Sequence, residues 1–167
     1  MKWLKYIDGI SEWTGRAAAW ITIPLMLVVM YEVVMRKIFN VTSLWGYDVC
    51  WMLFGLQFMI GGAYTLLHQG HVRIDIVYNV LPPKGKLIFD AVVYIVFFLF
   101  VLVILIWAGI QFAAESWRTG ENLSTSSFLF PSGPIKTVIP VAFFLFFLQS
   151  LAELIRSLSS LLKEKKI

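Results

Sequence analysis

Charge is scarce in this chain of 167 residues: Asp, Glu, Lys and Arg together make up 14% of it, against 59% hydrophobic residues. That ratio excludes an ordinary soluble globule and points to an integral membrane protein. Cysteine is nearly absent as well. The one residue, Cys50, excludes an intrachain disulfide and every multi-cysteine metal site. Two histidines, His68 and His71, are three positions apart, too close in sequence to come from facing helices and clamp a haem. No nucleophile sits beside a base, no glycine-rich phosphate loop is present, and no pair of carboxylates has catalytic spacing. Catalysis has no visible seat.

What is present is long apolar runs. Segments free of charge occur at 17–31, 49–67, 91–114 and 137–152. A span needs about 20 mostly apolar residues, so the pattern predicts an all-α integral membrane protein of four transmembrane helices, at about 17–39, 48–67, 87–114 and 135–156 in a single domain. The first run reads as a retained span, because no small-residue cleavage site follows it. Outside the runs only about ninety residues remain, in short pieces, which leaves these residues no room for a soluble catalytic domain.

Orientation follows from lysine and arginine. Lys2, Lys5, Arg16, Arg73, Lys84, Lys86, Arg156, Lys163, Lys165 and Lys166 fall on one side, and Arg36, Lys37, Arg118 and Lys136 on the other. The richer side is the cytoplasm, so both termini are expected there. Tryptophans agree: Trp13 and Trp20 flank the start of the first span, and Trp45, Trp51, Trp107 and Trp117 gather at the outer ends. The net charge of +4 then reflects anionic membrane lipids and calls for no nucleic acid.

Within the second span Asp48, Gly55, Gly62 and Gln69 recur every seven residues and predict a stripe for close helix contact. Beyond it, Ile74, Val77, Tyr78 and Leu81 follow helical spacing opposite Asp75 and Asn79 until the prolines at 82 and 83. That pattern predicts a short amphipathic helix in the cytoplasmic interface, between the second and third spans. Two sets of charges lie at span ends. Glu32 and Arg36 are one helical turn apart and are expected to pair, since an unpaired charge near the bilayer is costly. Gln149, Glu153 and Arg156 form a second stripe, at the cytoplasmic end of the fourth span. These groups are expected to meet another protein or one another across the bundle.

Three segments carry a resemblance: "YEVVMRKIFNVTSLWGYDVCWMLF", "GHVRIDIVYNVLP" and "GENLSTSSFLFPSGPIKTVIPVAFFLFFLQSLAELI". Together they resemble the small membrane subunit, DctQ-like, of tripartite ATP-independent periplasmic (TRAP) transporters. The motif positions that match are Glu32 and Arg36, Trp45 and Asp48, then Gly70, His71, Arg73 and Asp75. Asp75 stands where the family more often has glutamate, and "FLFPSGPIK" lacks a tryptophan common after the family's proline.

The resemblance implies an accessory subunit in the bacterial or archaeal cytoplasmic membrane. Its partners would be a large DctM-like membrane subunit and a periplasmic substrate-binding protein that delivers an organic acid. The sodium ions would bind the large subunit, and this chain would hold no cofactor and no substrate. Two rivals from other classes are a stand-alone four-helix multidrug exporter and the membrane anchor of a respiratory enzyme. Arg36 beside Glu32 argues against the first, and the placement of the histidines against the second.

Overall fold

The computed structural model describes residues 2–68, 99–123 and 129–164, together with positions 82, 85, 86, 89, 92 and 95, and side chains within these from residue 3 to residue 159. Its helices are α1 (Lys2–Trp20), α2 (Thr22–Ile38), α3 (Gly46–Leu67), α4 (Phe100–Thr119) and α5 (Gly133–Glu164). Four helical stretches are long and apolar enough to cross a membrane: Trp3–Ile38, Gly46–Leu67, Phe100–Thr119 and Gly133–Ser159. The all-helical, four-span expectation is met. The interfacial helix expected over 74–81 lies outside the described residues.

The breaks have local causes. Pro24 carries no N–H, so the carbonyl four residues earlier, on Trp20, loses its helical partner, and Ile21 N–H turns back to Ala18 at 3.1 Å. That is the joint between α1 and α2. At the far end of α2, Asn40 takes a left-handed φ of 54° and Val41 N–H returns to the Met35 carbonyl. Gly120 does the same for α4, with φ 61° and its N–H on Ser116. A short antiparallel bridge from Asn122 to Pro131 then leads into α5.

Side-chain pairs give the register. Glu32 lies against Gly46, Gln57 donates to Thr22, Gly15 lies against Tyr64, and Glu12 meets His68, so α1 and α2 together run antiparallel to α3. Ser116 bonds Ser132 at one end of α5, and Arg156 meets Asp8 at the other. The loops 39–45 and 120–132 therefore share one end, and the start of α1 and the late turns of α5 share the opposite one.

The layers form a row more than a ball. α4 packs chiefly on α5, α5 packs on α3 and on part of α1, and α3 carries α1 and α2. The buried apolar set is thin and small: Ala18, Ala63, Leu66, Leu102, Ala113, Ala142, Ala152 and Leu154. Alanine at the crossings lets helix backbones approach, which is the packing membranes favour because lipid tails already solvate large apolar side chains. Two glycines permit the tightest approaches. A Cβ at Gly15 would run into the Tyr64 ring and its Cβ, and one at Gly46 would run into the Glu32 carboxylate. Most large apolar side chains point outward, among them Trp51, Phe54, Phe58, Phe100 and Trp107.

Candidate functional site

Two polar clusters lie at opposite ends of the bundle, along the helix axes. The larger joins α1, α3 and α5. Asp8, Ser11 and Glu12 share one face of α1, because positions separated by three and four residues stack along a helix. Gln149, Glu153 and Arg156 do the same on α5. Gln149 is fully buried and its amide is fully used: Ser11 Oγ donates to its Oε1 at 2.8 Å, and its Nε2 donates to Asp8 Oδ1 at 3.3 Å and Glu153 Oε1 at 3.4 Å. The Arg156 guanidinium donates to both Asp8 and Glu153. A side chain holding two carboxylates beside a buried amide closes the network without an unmet donor.

Next to it, Glu12 accepts from Arg16 Nε at 2.8 Å and lies 2.8 Å from His68 Nε2. The His68 ring packs on Tyr64, with centroids 4.3 Å apart. The end of α3 is thereby tied to α1, and α1 to α5. The stripe expected at 149, 153 and 156 does meet its partners across the bundle. What the sequence reading missed is the α1 half, Asp8, Ser11 and Glu12. Their helical spacing is visible in the sequence, but they precede the first apolar run, which begins at residue 17.

The second cluster is at the 39–45 end. Trp45 stacks on Tyr31 with centroids 5.5 Å apart, and Ser43 Oγ accepts from Gly46 N–H at 3.0 Å. Asp48 is buried in the first turn of α3, where the helix dipole favours a carboxylate. Glu32 reaches this corner with Oε1 buried and without a hydrogen-bond partner. The expected Glu32–Arg36 pair does not form: it is absent from the ion pairs of the described residues, and Arg36 is exposed. The reason is direction. Glu32 turns its carboxylate to Gly46, although it lines the same groove of about 310 Å³ as Arg36, Lys37, Val29, Val33, Tyr47 and Cys50.

The glycine stripe of α3 makes little close contact among the described residues. A Cβ at Gly55 would meet nothing within 4 Å, and one at Gly62 would only touch Phe146 at 3.8 Å, so neither supports a close crossing inside this chain. The close crossings use Gly15, Gly46 and Gly109, the last with Ile139 and Pro140 at 3.3 Å. Gly70, His71, Arg73 and Asp75 lie outside the described residues.

Among the described residues no group of three or more His, Cys, Asp or Glu is placed to hold a metal ion. The geometry offers helix-to-helix locks and broad apolar faces. Residues 25–160 match the family described as tripartite ATP-independent periplasmic transporters, DctQ component. Over 81 residues the chain is 27% identical to the sialic acid TRAP transporter permease protein SiaT of Haemophilus influenzae (strain 86-028NP). That stretch is 48% of this chain and 13% of the relative, so the chain corresponds to a small part of that longer protein.

Proposed function

Since the chain belongs to the DctQ component family of tripartite ATP-independent periplasmic transporters, we propose that it braces a large DctM-like membrane subunit and enlarges the rigid scaffold against which that subunit moves. The observation that carries the reading is the family match, and the arrangement of polar groups supports it. The network of Asp8, Ser11, Gln149, Glu153 and Arg156 joins α1 to α5, which supports a rigid bracing part.

The outward surfaces suit a subunit. Gly55 faces open space between the exposed Trp51, Phe54 and Phe58, and an apolar groove of about 650 Å³ runs beside it between α2, α3 and α5. A helix of the large subunit fits a surface of this chemistry, because small residues beside large aromatic ones make holes for a neighbour's side chains. Glu32, which keeps one oxygen buried and without a hydrogen-bond partner, lines a groove with Arg36 and Lys37 that offers a partner polar groups at this corner.

In the full reading the chain lies in a bacterial or archaeal cytoplasmic membrane with both termini inside. A periplasmic binding protein delivers an organic acid, and sodium ions bound by the large subunit drive uptake. The relative's name, a sialic acid permease, fits an acidic cargo. Co-expression of this chain with the large permease of the same cells tests the assembly. The two should elute together from detergent, and Gly55→Trp should weaken the pairing while this chain alone stays monodisperse. Separate elution of the wild-type chains would sink the bracing role.

A further inference from the structure

We propose that the outer flank of α1 is a membrane-interface anchor, seated in the headgroup layer of an anionic leaflet through Trp3, Tyr6, Ile10 and Trp13. The inference rests on the chain's spanning the bilayer and is independent of its subunit role.

The first observation is length. The stretch Trp3–Ile38 has 36 residues and rises about 54 Å at 1.5 Å each, whereas the hydrocarbon layer is about 30 Å thick. Counted back from Arg36, about 30 Å ends near Arg16, which is 74% exposed. Everything ahead of Arg16 is surplus. It must stand in water, lie against headgroups or be covered by protein.

The second is what that surplus exposes. Trp3, Tyr6, Ile10, Trp13, Ala17 and Trp20 recur at steps of three and four, which puts them along one flank of α1. Trp3 is 83% exposed, Tyr6 74% and Trp13 72%, so nothing among the described residues covers them. Standing in water would leave three large rings solvated. Past Trp20 the exposed large side chains are Ile23, Met26, Leu27, Val29 and Met30, with no ring until Tyr31. The switch from rings with a polar N–H or O–H to pure aliphatics occurs near the depth at which headgroups give way to acyl chains. A protein partner would impose no such boundary.

The third is charge. Both acidic residues of α1 are held by cations, Asp8 by Arg156 and Glu12 by His68 and Arg16. The outward flank beside the rings keeps Lys5, which is exposed, and Arg16, whose exposed guanidinium also holds Glu12. Basic residues bordering an aromatic strip complement phosphate and glycerol headgroups of an anionic leaflet. The joint at Ile21, opened by Pro24, lies just past the end of the ring strip, at the passage from α1 to α2.

The test uses the full chain, with any membrane chain that co-purifies, in vesicles of phosphatidylcholine and phosphatidylglycerol. In a Cys50→Ser background, single cysteines at 3, 6, 10 and 13, and at 5 on the neighbouring flank, receive a nitroxide. Accessibility to oxygen, which concentrates in lipid, is compared with accessibility to a water-soluble nickel chelate. The ratio of oxygen to nickel accessibility should be several-fold higher at 3, 6, 10 and 13 than at 5. Equal ratios at 3, 6 and 5 would place the strip in water and overturn the proposal. Labels at 3 and 6 that are immobilised and shielded from both reagents would place a protein there and overturn it as well. If a cysteine at these positions prevents folding, the quenching of Trp3 by lipids brominated near the carbonyl is read as wild type minus Trp3→Phe. A difference supports the anchor, and none refutes it.

Discussion

At the scale of single residues the weight falls on Gln149. Its amide bonds Ser11, Asp8 and Glu153 from a site with no exposure, so Gln149→Leu leaves a hydroxyl and two carboxylates short of a partner. Interhelical hydrogen bonds in membranes contribute about 0.6 kcal/mol on average and up to about 1.7, which sets the expected loss for this variant at the upper end. Thermal unfolding in nanodiscs should show it. Arg156→Ala should cost more, because it strands Asp8 and Glu153 together, though less than the about 3–5 kcal/mol of a fully buried pair, since the Arg156 side chain is 35% exposed. At Glu32 the expectation is reversed by its missing partner. Glu32→Ala and Arg36→Ala should add within about 0.5 kcal/mol in a double-mutant cycle, and a larger coupling would mean the two pair after all. Sequence showed the stripe of 149, 153 and 156 because those residues share one helix face. It could not show Asp8, which meets Arg156 across 148 positions, nor that Glu32 turns toward Gly46, which depends on how α2 is rotated against α3.

At the scale of elements, the periodicity of small residues told less than it promised. Asp48, Gly55 and Gly62 do lie along one stripe of α3, yet the glycines that meet a neighbour most closely are Gly46, against Glu32, and Gly15, against Tyr64, and neither belongs to that stripe. Spacing defines a face of a helix, and only packing decides what that face meets. Gly15→Ala should therefore destabilise the isolated chain, because its methyl enters the space of the Tyr64 ring and the α1–α3 contact must open. Gly55→Ala should leave stability unchanged or slightly raised, since Ala is favoured over Gly within a helix by about 1 kcal/mol and open space surrounds the site. Urea or heat unfolding of both variants checks the pair. Equal losses would show that the α3 stripe is used within the chain.

At the scale of the whole molecule, the apolar runs announced four spans, and four helical stretches of spanning length are there. The break at Ile21 and the helix ahead of it were harder to read, since charged residues in a helix look like a solvated leader until a partner takes them up. A row of helices with a thin alanine core and outward rings buries little of its own surface. That is the shape expected of a part whose stability is completed by a neighbour. The central claim, that this chain braces a transporter it does not itself operate, is tested most directly by uptake into proteoliposomes. Vesicles holding this chain alone should take up nothing. Vesicles holding it with the large subunit, given the binding protein, sodium and a labelled organic acid, should accumulate the acid, and leaving this chain out should abolish that uptake. Undiminished uptake by the large subunit and binding protein without this chain would contradict the account.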